Sequence, residues 1–114
     1  MNDKQKELHR ILKRVVSCCT MEISDGSSIK GDDITGKLRT CNAVMTRCIL
    51  VAHLLMAGYS VNTVAQFLNR SVSGIHYLQN LDRHYMNTSR AYRIASKEVA
   101  RLGREEDATS SECL

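Results

Sequence analysis

The sequence predicts an all-α fold: a compact helical domain of about five helices that contains a helix-turn-helix. The chain of 114 residues is long enough for one domain with a modest core. It contains no proline and a single phenylalanine, so helix breakers and strand signals are both rare. Apolar residues recur at helical spacing along most of the chain. We therefore predict one helical domain over residues 1–104.

The first helix is predicted over residues 3–19. One face of this segment is apolar and most of its basic residues lie off that face; the apolar positions are Leu8, Ile11, Leu12, Val15 and Val16. A loop follows over residues 24–40, because three glycines interrupt it. Residues 32–34 could form a short helical turn within this loop.

The most apolar segment, residues 41–57, predicts a buried helix that Gly58 ends. Its polar residues, which include Arg47 and His53, occupy a narrow strip. Seventeen residues interrupted by a charged side chain and a histidine favour a core helix over a membrane span. We therefore expect no membrane segment, and we interpret His53 as a residue at the edge of the core.

Residues 61–80 predict two helices joined by a tight turn. Ser60 and Ser71 each precede an apolar helical pattern, where a hydroxyl can cap the first turn. Asn69 lies between them, and asparagine tolerates the left-handed conformation that ends many helices. The small Ala65 suits a close crossing of the two helices. This pattern is typical of a helix-turn-helix whose second helix begins at Val72, although an ordinary αα-hairpin would also fit.

The rest of the chain predicts one more helix and a tail. Residues 81–85 continue as helix and are followed by a turn, after which Thr88 or Ser89 caps a last helix. Its apolar face ends at Leu102, and Gly103 is predicted to end the helix. Residues 105–114 contain four acidic residues and no base, and we expect them to form a disordered tail.

Charge is distributed unevenly along the chain. Residues 1–36 contain six basic and six acidic residues, whereas residues 37–104 contain ten basic residues against Asp82 and Glu98. The second block therefore has a net charge of +8 and includes the whole predicted helix-turn-helix. Such an excess favours a polyanionic partner.

Other kinds of function receive little support. The five cysteines include no C-x-x-C pair, and no apolar segment near the N-terminus resembles a secretory signal, so we expect reduced thiols in the cytoplasm. Cysteine and histidine spacings fit no zinc site, and we predict no metal and no cofactor. No catalytic constellation is evident, so we predict that the chain is not an enzyme.

One segment resembles part of a nucleotide-binding loop. Residues 31–37, GDDITGK, match G-x-x-x-x-G-K. However, Leu38 replaces the hydroxyl residue that would hold magnesium, no buried strand precedes Gly31, and Asp32 and Asp33 would face the phosphates. We therefore predict no nucleotide binding.

The order of these segments resembles the C-terminal DNA-binding domain of the bacterial replication initiator DnaA, a Trp-repressor-like fold. The resemblance covers about residues 8–102 and rests on LHRILKRVVSCC, GYSVNTVAQFL, the turn NRS and VSGIHYLQNL. It implies that a basic-loop arginine enters the minor groove and that the recognition helix reads the major groove. Arg39 matches the first role and Arg70 matches the arginine at the turn.

The chain departs from that family in two places. Asn69 stands alone where the family has two glycines, and the residues at 71–74 are Ser-Val-Ser-Gly where the family has Asp-His-Thr-Thr. The family's ATPase module is also absent from this sequence. The resemblance therefore implies the fold but not the family's target sequence.

From these observations we predict sequence-selective binding to double-stranded DNA, in replication initiation or transcription control. Lys37 and Arg39 would lie along the minor groove, and Arg47 would hold a phosphate, as would Arg83 and Arg90. The start of the recognition helix would meet base edges or phosphates through Ser71, Val72, Ser73, His76 and Tyr77, with Arg70 at the turn. Tyr77 could instead pack against the last helix. The alternative function is a protein-interaction module on the same scaffold, and a protein partner or a homodimer stays open.

Overall fold

The computed structural model describes the backbone of residues 3–22 and 41–112, and all of this backbone except short connections is helical. The helices are α1 (Asp3–Glu22), α2 (Cys41–Met56), α3 (Val61–Leu68), α4 (Val72–Thr88) and α5 (Arg90–Glu112). The predicted all-α fold of about five helices is thereby confirmed. The loop at residues 24–40, including the predicted helical turn at 32–34, lies outside the described residues.

The most apolar helix, α2, lies at the centre and packs against each of the other helices that the structure describes. Its fully buried side chains include Cys48, Ile49, Leu50, Val51 and Leu54. The helix ends as predicted at Gly58, whose φ of +101° is a left-handed value that glycine adopts without strain. Within the described residues, no helix is both long and apolar enough to cross a membrane.

The first helix, α1, packs most extensively against α5 and also against α2. The predicted apolar face is buried at Leu8, Ile11, Leu12 and Val15. Cys18 and Cys19 are buried as well and extend this face, so the helix continues three residues past its predicted end. These contacts hold α1 and α5 together on one side of the central helix.

The prediction of a turn after Tyr85 is wrong, because α4 is a single helix to Thr88. Leu81, Tyr85 and Met86 are partly buried against the core, and this packing stabilises the second half of the helix. Ser89 then separates α4 from α5. Its backbone N–H donates to the Tyr85 carbonyl at 2.9 Å, and its Oγ accepts from the Tyr92 N–H at 3.2 Å.

The prediction that Gly103 ends the last helix is also wrong, because α5 continues to Glu112. A Cβ at position 103 would lie 2.9 Å from Nη1 of Arg14, which is the end of a flexible side chain on α1, so Gly103 faces α1. The residues on either side of this glycine are strong helix formers. Residues 105–112 are therefore helical where we predicted a disordered tail.

Candidate functional site

The α3–α4 unit comprises α3, the turn at residues 69–71 and α4. Two capping hydrogen bonds and one left-handed turn residue shape it. Ser60 Oγ accepts from the Thr63 N–H at 3.2 Å, and Ser71 Oγ accepts from the Gly74 N–H at 3.1 Å. Asn69 is left-handed, with φ 55° and ψ 48°. The predictions of both caps and of the left-handed asparagine are confirmed. Together they fix the angle at which α4 leaves the turn.

The two helices of this unit share a small core. The buried residues of α3 are Val64, Ala65 and Leu68, and those at the start of α4 are Ile75 and Leu78. Ala65 is only 5% exposed, and its carbonyl accepts from the Arg70 N–H at 2.9 Å. The first turns of α4 are therefore held rigidly, with one side against α3 and the other side in solvent.

The outer face of α4 consists of the exposed residues Ser71, Val72, Ser73, His76 and Tyr77. Tyr77 is 63% exposed, so the alternative that it packs against the last helix is wrong. His76 pairs through Nδ1 with Oε1 of Gln79 at 3.1 Å. Residues 71–81 contain no charged side chain. This face therefore offers hydroxyl, imidazole, phenol and methyl groups without a local charge.

Arg47 does not lie where a phosphate contact requires it. Its side chain is only 4% exposed, because α2 is surrounded by the other helices. The predicted direct phosphate contact of Arg47 therefore does not fit the structure. Instead, Arg47 lines an open groove of ≈ 720 Å³, to which Arg70, Ser71 and Tyr77 also contribute.

Arg70 is half-buried at the turn. Its Nη1 donates to the carbonyls of Leu68 and Asn69, each at 3.3 Å, so the guanidinium satisfies carbonyl groups at the C-terminus of α3. Arg70 and Ser71 are neighbours in the sequence, but the sequence did not indicate that Arg47 lines the same groove. Lys37 and Arg39 lie outside the described residues.

Much of the basic charge lies on α5, away from the outer face of α4. Five of the ten basic residues between positions 37 and 104 are on this helix, and they are Arg90, Arg93, Lys97, Arg101 and Arg104. All except the half-buried Arg93 are exposed. Arg93 donates from Nη1 to the Met86 carbonyl at 3.0 Å, and Arg101 pairs with Glu98. Of these five residues, only Arg90 was predicted from the sequence as a phosphate contact, although the helical spacing of the others is a signal that could have indicated them.

A group of partly buried polar side chains lies between α2, α4 and α5, together with the fully buried Tyr92. The Tyr92 hydroxyl donates to Oδ1 of Asp82, and His53 Nε2 pairs with Ser96 Oγ at 3.2 Å. Burial lowers the pKa of His53. Since Asp82 bonds to Tyr92 and His53 to Ser96, the two pairs act as links between helices and do not form a Ser–His–Asp relay.

Cys18, Cys19 and Cys48 are buried. Burial raises the pKa of Cys19 to about 12 and that of Cys48 to about 12, so both thiols stay protonated at neutral pH. Among the described residues, no three histidine, cysteine or acidic side chains come together as a metal site.

Comparisons with protein-family models, with curated proteins and with solved structures give no match for this chain. The resemblance to the DnaA domain stays a prediction.

Proposed function

We propose that the chain binds double-stranded DNA with sequence selectivity, through a helix-turn-helix formed by α3 and α4. The observation that carries this proposal is the exposed start of α4, presented by a capped turn in a segment with a net charge of +8. A B-DNA major groove is about 12 Å wide and admits one α-helix. In helix-turn-helix proteins the first residues of the second helix contact base edges.

The side chains on this face would have different roles. The Val72 side chain suits contact with a thymine methyl group, and the Ser73 hydroxyl can donate to or accept from a base edge. Ser71 Oγ already caps α4, so its main role would be to position the helix. His76 and Tyr77 lie one turn further along and could reach a base or a phosphate.

The phosphate contacts would come from residues beside this face. Arg70 lies at the turn, and the exposed Arg83 lies further along α4. Arg47 is buried and lines the groove beside the turn, so it would support the turn and would not contact a DNA phosphate. Lys37 and Arg39 keep their proposed place along the minor groove, where arginine senses the negative potential of A·T-rich sequence. The resemblance to DnaA suggests replication initiation or transcription control as the process, in the cytoplasm.

A second candidate function is a protein-interaction module, and one observation favours it. The outer face of α4 has no charge over residues 71–81 and exposes Val72 and Tyr77 at 40% and 63%. Exposed tyrosines and apolar side chains are typical of the centre of protein–protein interfaces. On this alternative, α4 would bind a protein and would not discriminate between DNA sequences.

A titration with mixed-sequence duplex DNA at several salt concentrations tests the proposed function. Each neutralised phosphate contributes about −0.9 to the slope of log affinity against log salt. With about four to six contacts, affinity should fall on the order of a hundredfold or more between about 50 and 200 mM salt. Absence of binding at low salt, or a flat salt response, would contradict the proposal and favour the interaction module.

A further inference from the structure

One face of α5 carries an array of basic residues. Arg90, Lys97, Arg101 and Arg104 are exposed, and at about 100° per residue they fall within an arc of roughly 60°. We call these four residues the α5 basic stripe. The opposite side of the helix is buried in the core through Tyr92, Ala95 and Val99. The core therefore fixes the direction in which the stripe faces solvent.

Like charges repel one another along this stripe. Lys97 and Arg101 are four residues apart, and Arg101 and Arg104 are three apart, spacings at which side chains on a helix are neighbours. Glu98 is the one acidic residue between positions 90 and 104, and it pairs with Arg101. Residues 90–104 therefore have a net charge of +4, although Glu105, Glu106, Asp107 and Glu112 follow on the same helix, and a polyanion along residues 90–104 would relieve the repulsion.

We propose that the α5 basic stripe is a second surface for the phosphate backbone of double-stranded DNA, separate from the outer face of α4. The proposal extends the proposed DNA-binding function and rests on it. From Arg90 to Arg104 the helix rises about 21 Å at 1.5 Å per residue. This length matches about six base pairs at 3.4 Å each, and a duplex carries one charge per about 1.7 Å of its axis.

A duplex fits the stripe better than an anionic membrane does. A helix that lies in a membrane interface inserts an apolar face between the lipids. The apolar face of α5 is instead buried against α1 and α2, and Ile94, which is 40% exposed, is the apolar residue that accompanies the stripe. The stripe can therefore contribute charge attraction, which phosphate binding needs, but not the apolar insertion that membrane binding needs.

The stripe also complements the outer face of α4. That face carries no charge, whereas the stripe carries four basic residues, so the stripe would add phosphate contacts on a second helix to those proposed for Arg70 and Arg83. From Val72 to Thr88, α4 rises about 24 Å, so the stripe begins near the end of α4 that lies away from the predicted recognition residues.

The proposal is tested by comparing two triple variants on a random-sequence duplex. The first variant combines Arg90→Gln, Lys97→Gln and Arg104→Gln, and the control combines Lys6→Gln, Arg10→Gln and Lys13→Gln on α1. All six residues are exposed and both variants lose the same charge, so overall electrostatics are matched. Thermal melting of both variants verifies that the fold is retained.

The slope of log affinity against log salt should become less steep by about 2.7 in the stripe variant, because three contacts at about 0.9 each are lost. The control variant should change this slope little. Equal changes in the two variants, or no change in the stripe variant, would overturn the proposal. Binding to vesicles with anionic headgroups that is lost only in the stripe variant, with DNA binding unaltered, would also overturn it.

This test can fail independently of the proposed function. The stripe is measured by the salt dependence on random DNA, whereas sequence selectivity is measured by the preference for a selected site. A protein that keeps its sequence preference after the stripe is removed, with an unchanged salt dependence, would refute the stripe and retain the helix-turn-helix.

Discussion

Tyr92 and Asp82 link α5 to α4 through a hydrogen bond that the buried tyrosine hydroxyl donates to Oδ1 of the aspartate. Asp82 lies on the same helix as the predicted recognition residues, and Tyr92 lies two residues after the start of α5. The bond therefore fixes the helix that would read bases relative to the helix that carries the basic stripe.

Removing this hydrogen bond should destabilise the domain. Tyr92→Phe removes the donor and leaves the Asp82 carboxylate without its partner, which should lower the free energy of unfolding by about 1–3 kcal/mol. Urea unfolding measures the change. Tyr77→Phe is the matched control, because Tyr77 is largely exposed and its loss of a hydroxyl should alter stability little. Equal midpoints for both variants would show that the buried bond contributes nothing.

The small core of the α3–α4 unit should not accept a larger side chain at Ala65. Ala65→Leu would overpack the buried side of α3 and lower stability by about 1–3 kcal/mol. The neighbouring Gln66 is exposed, so Gln66→Leu adds an apolar side chain at the next position without crowding the core. If Ala65→Leu melts at the temperature of the parent protein, Ala65 does not occupy a tight crossing.

The stability of the domain should differ between glycine and alanine at position 69. Asn69 has a φ of 55°, which glycine adopts freely and alanine adopts at a cost of about 1–2 kcal/mol. Asn69→Gly should therefore be close to the parent in stability, whereas Asn69→Ala should unfold at lower urea concentration. Two variants of equal stability would contradict the left-handed turn.

The partly buried His53 predicts loss of stability on acidification. Burial lowers its pKa in the folded state below the ordinary value of 6.5, so the unfolded chain binds a proton more readily than the folded chain does. The contribution of the neutral His53 ring to the free energy of unfolding is fully present above pH 6.5. It is lost as the pH falls from 6.5 toward the lowered pKa.

Measurements of unfolding free energy between pH 5 and pH 8 test this sign. His53→Gln should make the unfolding free energy less dependent on pH in that range. His76→Gln, at an exposed position, should keep the pH dependence of the parent protein. A dependence that persists unchanged in His53→Gln would assign the effect to another group.

The local features of the fold could be predicted because they depend on neighbouring residues. Ser60, Asn69 and Ser71 each act within three or four positions of the chain, and all three appear where the sequence placed them. Gly103 was misinterpreted because α5 continues through it to Glu112, between the helix formers Leu102 and Arg104. Composition cannot distinguish a glycine that ends a helix from one that lies within it.

The candidate site was predictable only in part, for a similar reason. The exposed residues of α4 follow from helical periodicity and from the apolar positions Ile75 and Leu78. The burial of Arg47 depends on how α2 is enclosed by the other helices, which no local pattern encodes. The basic stripe could have been found from the spacing of Arg90, Lys97, Arg101 and Arg104, but its exposure depends on which side of α5 is packed.

The most direct test of the account is whether the start of α4 discriminates between DNA sequences. A duplex selected from a random pool and a scrambled duplex of equal length should be titrated with the parent protein, Val72→Ala and Ser73→Ala, with Arg83→Ala as a phosphate-contact control. We predict that each of the first two changes costs about 1–3 kcal/mol on the selected site and much less on the scrambled one. Arg83→Ala should weaken binding to both duplexes alike and lower the salt slope by about one. If Val72→Ala and Ser73→Ala reduce both affinities equally, or change neither, α4 does not read bases and the account is contradicted.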